Sequence, residues 1–317
     1  MKVQDRIHYL QHPLADIWTG ITVLADDSLT IVDSGTAAAV AETILPYLRE
    51  NRLHSAGQPA TVINTHCHCD HIGGNAGLKA ALAAAVWVHE ADAAFTADRA
   101  AQFDALFGPF SRYERLAMNP AGFRELAGAD TVIDRQLCDG DRLQLGRFTF
   151  TVLHIPGHTA GSIALYEPTL GLLLAGDSLQ ADGTTDTKVP LITDLAAYRR
   201  SLARLRDLEI SLLIADHPFK PFPVALFRGA EAATFIRDSL EIAECYAERV
   251  SRLALAQPSP FALLDIGSQL AREVDLIAPN PYVLILAAAC LDDMVVAGQL
   301  HRLSGEGWQP TSTFSSH

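Results

Sequence analysis

The chain has 317 residues, of which 49% are hydrophobic and 19% charged, a composition that is ordinary for a globular enzyme of one or two domains. The formal net charge of −13 disfavours a large surface for nucleic acid or anionic membrane, because phosphate binding needs clustered cations. A secretory signal and a long apolar run are not visible, and the five scattered cysteines are typical of reduced thiols, so we expect a cytoplasmic protein without a membrane segment.

The first elements of the chain alternate between strands and a helix. The stretch GITVLADDSLTIVDSG predicts two β-strands joined by an Asp-Asp turn, and ATVINTH predicts a short buried strand. NAGLKAALAAA then predicts a helix, and AVWVH predicts the next strand. This strand–helix–strand order indicates an α/β architecture in which helices cover sheets.

Residues 91–127 form a less regular segment that is rich in aromatic side chains. Its aromatic residues are Phe95, Phe103, Phe107, Phe110, Tyr113 and Phe123. Aromatic side chains are often core residues, so packing of helices against the core is the favoured interpretation. The alternative is an apolar wall over a substrate pocket.

The segment from about residue 141 to 217 is mostly β with one helix. In TDLAAYRRSLARLRDLE, Asp194 is a candidate N-cap and apolar residues recur at helical spacing. The residues on this apolar face are Leu195, Tyr198, Leu202 and Leu205. The strand ISLLIADHPF then ends at His217, and we assign residues 1–222 to a catalytic domain.

The character of the chain changes after residue 222, and we assign residues 223–317 to a C-terminal helical domain. Two long helical patterns, ALFRGAEAATFIRDSLEIAECYAERVSRLALA and NPYVLILAAACLDDMVVAG, are followed by a hairpin pattern in GQLHRLSGEGWQP. Helices followed by a hairpin predict a winged-helix-like appendage. Acidic residues outnumber basic residues in this region, which disfavours DNA binding and favours dimerisation or covering of an active site.

The stretch THCHCDHIGG concentrates histidines, cysteines and an aspartate in ten residues. A thiolate metal site, a thiol redox site and a metal site of imidazole and carboxylate ligands all use such residues. If ATVINTH ends as a strand, His66 and His68 project to one side and Cys67 points away. Asp70 and His71 follow the strand and are free to turn toward a neighbouring ion. Imidazole and carboxylate together suit zinc, and also manganese or iron.

Four such ligands within six positions cannot complete the coordination of two ions. Three later stretches each place one more candidate after an apolar β run: HIPGHTAGS has His158, LLLAGDS has Asp177 and LLIADHP has His217. Loops at strand ends commonly carry functional side chains. We therefore expect these three residues to join the histidine-rich cluster.

Together these motifs resemble the metallo-β-lactamase-fold hydrolase family, in the order and rough spacing of that family, over residues 10–220. The resemblance implies an α/β fold, an αββα four-layer sandwich with the site at one edge of two packed sheets. It also implies two divalent metal ions, with zinc favoured and manganese or iron compatible. The implied ligands are His66, His68 and His158 for the first ion, Asp70, His71 and His217 for the second ion, and Asp177 between the two.

Three further details qualify the resemblance. Asp33 in IVDSG matches a carboxylate that orients ligands in the family, and capping of a turn is an equally weighted interpretation. His217 follows Ala-Asp, where the family usually has a Gly-His-Gly-like loop. Cys67 and Cys69 are unusual inside the motif, and packing is their favoured role because thiolates favour closed structural zinc sites.

The activity implied by the resemblance is metal-dependent hydrolysis of a small-molecule substrate. Water bound to metal loses a proton near neutral pH, and a hydroxide held between two ions would attack a carbonyl or phosphoryl centre. Asp177 would position the ion pair and Asp70 would help to handle the proton.

The substrate class is open among several possibilities. The apolar aromatic segment and the acidic chain favour a small carbonyl ester, thioester or lactone. A phosphodiesterase or ribonuclease of the same fold is one alternative, and an iron-dependent oxidoreductase resembling the persulfide dioxygenases is another. A homodimer is one possible oligomeric state.

Overall fold

The computed structural model describes residues 1–108, 119–303 and 307–311. Within these residues, the first sheet has seven strands, and their order across the sheet is the same as their order in the chain. They are β1 (Lys2–Gln4), β2 (Ile7–Leu14), β3 (Ile17–Ala25), β4 (Leu29–Val32), β5 (Ala60–Ile63), β6 (Ala85–His89) and β7 (Arg135–Leu137). The pairs from β1 to β4 are antiparallel, and those from β4 to β7 are parallel.

The second sheet is formed by the strands that follow. They are β8 (Arg142–Leu145), β9 (Phe148–His154), β10 (Ile163–Glu167), β11 (Leu172–Gly176), β12 (Leu212–Ala215) and β13 (Leu226–Arg228). Only the pair β11–β12 is parallel among the described pairs of this sheet. Helix α7, which joins those two strands, crosses the outer face of the sheet, as a parallel connection requires.

The helices of residues 1–222 lie between these strands. They are α1 (Leu45–Glu50), α2 (Cys69–Ile72), α3 (Asn75–Leu82), α4 (Ala93–Ala97), α5 (Arg99–Phe107), α6 (Pro120–Ala127) and α7 (Leu195–Arg206). A π-helical turn, Val40–Ile44, leads into α1, and a short 3₁₀ turn, Glu90–Asp92, precedes α4. For α7 the structure agrees with the prediction: its apolar face is buried, and the Asp194 carboxylate accepts a hydrogen bond from Ala197 N at 2.8 Å.

Alternation of side chains along the strands separates two apolar cores. On β3, Ile21 and Val23 face the helical layer of α1 and α3, whereas Leu24 faces the second sheet. The opposite face of the second sheet packs against α7 and the C-terminal helices. The order of layers is therefore helix, sheet, sheet, helix, which confirms the predicted αββα sandwich.

The C-terminal region packs against this sandwich. Its elements are α8 (Ala230–Leu255), β14 (Phe261–Ala262), α9 (Leu263–Glu273), α10 (Pro281–Val296), β15 (Leu300–Arg302) and β16 (Gly307–Pro310). The predicted hairpin is present as β15 and β16, and β14 pairs with β16 to make a small third sheet. This arrangement agrees with the predicted helical, winged-helix-like appendage.

The structure differs from the sequence analysis at the start of this region. Residues that were predicted to begin a long helix instead form β13, which pairs with β12, and α8 starts only at Ala230. Gly229, with φ of +51°, separates the strand from the helix. The division at residue 222 stays a prediction, and the apolar core extends from the second sheet through α8 to α10. Among the described residues, no helix combines the length and apolarity needed to cross a membrane.

Candidate metal centre

The candidate ligands lie at one edge of the sandwich, in loops that follow the ends of strands. The parallel pair β4–β5 brings Asp33 close to the start of the histidine-rich loop, and the parallel pair β11–β12 brings Asp177 close to His217. The sequence predicts that the strand ATVINTH includes His66. In the structure β5 ends at Ile63, so His66 lies in the loop that follows the strand. The carboxyl ends of parallel strands meet at the same sheet edge, which explains why distant residues converge here.

The first group of candidate ligands consists of His66, His68 and His158. Their ligand nitrogens all lie within 4.8 Å of one another, and their ring centroids are 4.5 to 4.8 Å apart. The Nε2 atom of each ring is buried and has no hydrogen-bond partner among the described residues. Three unpaired imidazole nitrogens that face a common point form a donor set that suits a metal ion.

The second group consists of Asp70, His71 and His217. Asp70 Oδ2 is 3.0 Å from His217 Nε2 and 3.4 Å from His71 Nε2, and the two Nε2 atoms are 3.2 Å apart. All candidate ligand atoms of this group lie within 4.8 Å of one another. The donors are again imidazole and carboxylate, the combination that the sequence predicts.

Asp177 lies between the two groups. Its Oδ2 atom is 3.9 Å from His158 Nε2, 3.5 Å from His71 Nε2 and 3.3 Å from His217 Nε2. Its Oδ1 atom is buried without a hydrogen-bond partner in the described part of the chain. The carboxylate is therefore within reach of both groups at once.

The Nδ1 atoms of four histidines are held by protein oxygens. His158 Nδ1 is 2.8 Å from Leu191 O, and His217 Nδ1 is 2.7 Å from Trp18 O. A backbone carbonyl accepts only, so Nδ1 carries a proton in both rings and Nε2 is the nitrogen left to face a metal ion. These bonds fix the orientation of each ring before any ion arrives.

Asp33 holds the other two histidines. His71 Nδ1 is 3.2 Å from Asp33 Oδ2, and Thr65 Oγ1 donates to the same oxygen at 2.6 Å. Thr65 Oγ1 is in turn 3.0 Å from His66 Nδ1. One buried carboxylate thus orients a ring of each group, and this geometry favours the orienting role of Asp33 over turn capping.

The two groups differ in their electrostatics. Burial, together with neighbouring histidines, lowers the pKa of His66 well below its usual value and the pKa of His68 to about 3, so these rings are neutral. Burial also acts on His217, but the carboxylates of Asp177 and Asp70 outweigh it and raise the pKa of His217 to about 10. The same attraction stabilises the charged form of the carboxylates: despite burial, the adjacent histidines hold the pKa of Asp70 well below its usual value.

Sequence reasoning missed Asp92. This carboxylate is buried, and it accepts hydrogen bonds from Cys67 N at 3.0 Å, Thr159 Oγ1 at 2.7 Å and Gly161 N at 2.8 Å. It therefore ties the loop of the first two histidines to the loop that follows His158. Its position in HEAD carries no local signal for this role.

The two cysteines of the motif do not belong to the candidate ligand groups found within the described residues. Cys67 is buried, and burial raises the pKa of its thiol well above the usual value. Burial also raises the pKa of Cys69 to about 12. Both thiols are therefore protonated near neutral pH, which agrees with a packing role.

A cavity of about 290 Å³ opens beside the candidate ligands. Five of the candidate ligands line it, namely His68, Asp70, His158, Asp177 and His217. Most of the other lining residues are apolar or aromatic, and the large ones are Leu14, Ile17, Leu106, Phe107, Phe123, Leu126, Leu191, Phe219, Tyr282 and Ile285. Such a cavity, apolar with a few polar groups at one end, is typical of a small-molecule site.

Both interpretations of the aromatic segment apply to the described part of it. Phe103, Phe107 and Phe123 pack on one another, with ring centroids 5.3 to 6.1 Å apart. Phe107 and Phe123 also line the cavity. Phe110 and Tyr113 lie outside the described residues.

Residues 21–217 match the family model of the metallo-beta-lactamase superfamily. The chain belongs to this superfamily. The predicted resemblance is therefore confirmed, and so is the expectation of a metal-dependent hydrolase of this family.

Relatives of known name cover most of the chain. The acyl-coenzyme A thioesterase MBLAC2 of Homo sapiens is 33% identical over 243 residues, which are 72% of this chain and 81% of that protein. The hydroxyacylglutathione hydrolase of Chromohalobacter salexigens is 29% identical over 231 residues, which are 72% of this chain and 71% of that protein.

A solved structure shares the fold over nearly the whole length. A metallo-beta-lactamase family protein from Thermus thermophilus superimposes with a TM-score of 0.76 at 23% identity, and the match covers 98% of this chain and 100% of that chain. The likeness in fold therefore includes the C-terminal helices as well as the sandwich.

Proposed function

We propose that the protein is a thioester hydrolase that uses two divalent metal ions. The observation that carries this proposal is the convergence of seven imidazole and carboxylate side chains at one end of an apolar cavity. In this proposal His66, His68 and His158 would hold the first ion, Asp70, His71 and His217 would hold the second ion, and Asp177 would be shared by both.

The donor set fits such ions. The first group offers three neutral imidazoles whose buried Nε2 atoms lack a partner among the described residues, and these atoms would otherwise remain unsatisfied at a cost in free energy. The second group offers two imidazoles and a carboxylate. Nitrogen and oxygen donors in this mixture favour zinc and also suit manganese or iron.

Bound divalent ions would lower the pKa of water and polarise a carbonyl oxygen, which is the chemistry that thioester hydrolysis needs. The chain's own residues prepare the site. Asp33 and Thr65 orient His66 and His71, and the Asp70 carboxylate, which lines the cavity, is ionised and available to accept a proton from the attacking water. The apolar walls limit the access of other water molecules to the reacting group.

The thioester class is supported by the names of the relatives and by the cavity. Coenzyme A and glutathione are both thiol carriers, so the two named relatives act on thioesters. The cavity walls are mostly apolar, and the described residues that line them include no lysine or arginine. We infer that the cavity takes an apolar acyl group and that the charged part of the carrier lies outside it.

A cytoplasmic location is part of the same proposal. All five cysteines are free thiols in the structure. This supports a reducing compartment, where such carriers keep their thiols reduced.

The test begins with metal analysis of the purified protein. The protein is then assayed as isolated, after chelation, and after addition of Zn²⁺, Mn²⁺ or Fe²⁺ against coenzyme A and glutathione thioesters, a lactone and a phosphodiester. We expect about two ions per chain and metal-dependent thioester turnover. Turnover of the phosphodiester alone would contradict the proposal, as would oxygen consumption without hydrolysis.

Two histidine variants complete the test. His66→Ala removes a candidate ligand, and His301→Ala removes an exposed histidine of β15 as a matched control. We expect His66→Ala to lose most of its activity and bound metal, and His301→Ala to keep both. Full activity in His66→Ala would contradict the proposed metal centre.

A further inference from the structure

We propose that Tyr282 donates a hydrogen bond to the carbonyl oxygen of an acyl group bound in the cavity; as a role in catalysis, this rests on the proposed thioester hydrolysis. Tyr282 belongs to α10, in the C-terminal region, and it lies outside the segment that matches the family model. It lines the same cavity as Asp70, Asp177 and His217.

The first turn of α10 is anchored at the rim of this cavity. Asn280 caps the helix, because its Oδ1 atom accepts a hydrogen bond from Val283 N at 2.9 Å. Its Nδ2 atom donates to Thr187 O at 3.2 Å, and Thr187 is itself a cavity residue. Pro281 at the first helical position restricts the backbone further. Tyr282 is therefore presented by a fixed helix end.

One face of α10 is directed at the cavity. Tyr282 and Ile285, which are three positions apart and so share a face, both line it. The residues between them, Val283 and Leu284, are fully buried in the core. The position of the tyrosine thus follows from the packing of the whole helix.

The hydroxyl group of Tyr282 has no hydrogen-bond partner among the described residues, although the ring is half-buried. Burial, with Cys69 and Asp70 nearby, raises the pKa of Tyr282 to about 12, so the phenol keeps its proton near neutral pH. A tyrosine hydroxyl that is largely removed from solvent usually finds a hydrogen-bond partner. Here the available partner is a ligand.

Two other uncharged polar side chains of the cavity, those of Gln180 and Thr184, are already engaged. Gln180 donates to Asp177 O at 3.1 Å and accepts from Leu191 N at 2.7 Å. Thr184 Oγ1 donates to Thr187 Oγ1 at 3.3 Å. The carboxylates at the polar end can only accept. Tyr282 thus offers a neutral hydroxyl donor to a carbonyl oxygen that enters the cavity, and such a donor gains strength as negative charge develops on that oxygen.

The kinetic experiment compares Tyr282→Phe with a matched control, Tyr166→Phe. Tyr166 also loses a hydroxyl, which donates to Glu209 O at 2.9 Å away from the cavity. The substrates are a thioester and an oxyester of the same octanoyl group. We expect kcat of Tyr282→Phe to fall about 10- to 100-fold for both substrates, with unchanged metal content and melting temperature, and Tyr166→Phe to stay within about twofold. A kcat of Tyr282→Phe near that of the wild type, or a fall for the oxyester alone, would overturn the inference.

A binding experiment tests the same hydrogen bond without turnover. Octanoate is titrated into the wild type, Tyr282→Phe and Tyr166→Phe by calorimetry. We expect octanoate to bind Tyr282→Phe at least about threefold more weakly, since one hydrogen bond is lost. Equal affinity, or no binding to the wild type at millimolar octanoate, would overturn the inference. A wild type that binds octanoate through Tyr282 but hydrolyses no thioester would contradict the proposed function and leave this inference standing.

Discussion

Asp92 accepts a hydrogen bond from the backbone nitrogen of Cys67 at 3.0 Å, although 25 residues separate them in the chain. Cys67 lies between His66 and His68, so this bond positions the backbone from which both side chains project. The same carboxylate holds Thr159 and Gly161, which directly follow His158. Hydrogen bonds to one buried carboxylate therefore position the backbone beside all three histidines of the first group.

Asp92→Asn is expected to weaken metal binding at the first group. In the variant an amide nitrogen replaces one carboxylate oxygen, so its N–H groups face a backbone N–H group that donates to Asp92 in the wild type. That hydrogen bond is lost, and the two loops lose their common anchor. Loss of a partner of this kind typically costs about 10- to 100-fold in metal affinity. Competition with a chelator measures the affinity, and Asp134→Asn is the control because Asp134 is exposed and accepts from Val86 N instead. Equal affinity in both variants would refute the anchoring role.

Metal removal is expected to destabilise the protein. The first group places three buried nitrogens without partners near one another, and an ion that binds only the folded state adds free energy of unfolding that grows with its concentration. At a thousandfold excess over Kd this contribution is about 4 kcal/mol. Urea unfolding with Zn²⁺ and with a chelator measures it, and the difference should shrink in Asp177→Asn. Coincident unfolding curves of the wild type under both conditions would contradict a metal centre here.

The candidate ligands could be predicted from the sequence because their signals are local. His158, Asp177 and His217 each follow an apolar run, and sheets bring the ends of such runs to one edge. Asp92 and Tyr282 carry no such signal. The role of Asp92 depends on contacts with residues 25 and 67 to 69 positions away, and Tyr282 sits in a helix that is apolar on nearly all sides, a pattern that indicates a core helix.

His12 is expected to make stability fall in mild acid. It is buried on β2, where its Nδ1 atom is 2.9 Å from Thr43 Oγ1, and burial lowers its pKa while Glu42 opposes this in part. The ordinary pKa of histidine is about 6.5, and below this pH the unfolded chain binds more protons at His12 than the folded protein does. The contribution of His12 to stability is therefore full above that pH and is lost as the pH falls toward the pKa of the folded state.

The measurement is the free energy of unfolding between pH 7.5 and 5.5 for the wild type and for His12→Gln. One histidine contributes at most about 1.4 kcal/mol per pH unit within this window. The variant should be less stable at pH 7.5, because it loses a buried contact, but should show a shallower decline toward pH 5.5. Parallel curves would mean that His12 takes up its proton equally well in the folded protein.

Phe107→Ala is expected to change substrate preference more than the rate of the chemical step. Phe107 lines the same cavity as candidate ligands, and it is half-buried, so truncation removes part of the apolar wall without opening the protein core. Each methylene of an acyl chain that loses its contact forfeits up to about 0.8 kcal/mol. KM for an octanoyl thioester should therefore rise while kcat and KM for the acetyl thioester change little. Phe103→Ala is the matched control, because Phe103 packs against Phe107 on the same helix but does not line the cavity. If both variants raise KM equally, or if the acetyl and octanoyl thioesters respond alike, the wall of the cavity does not select for the acyl chain.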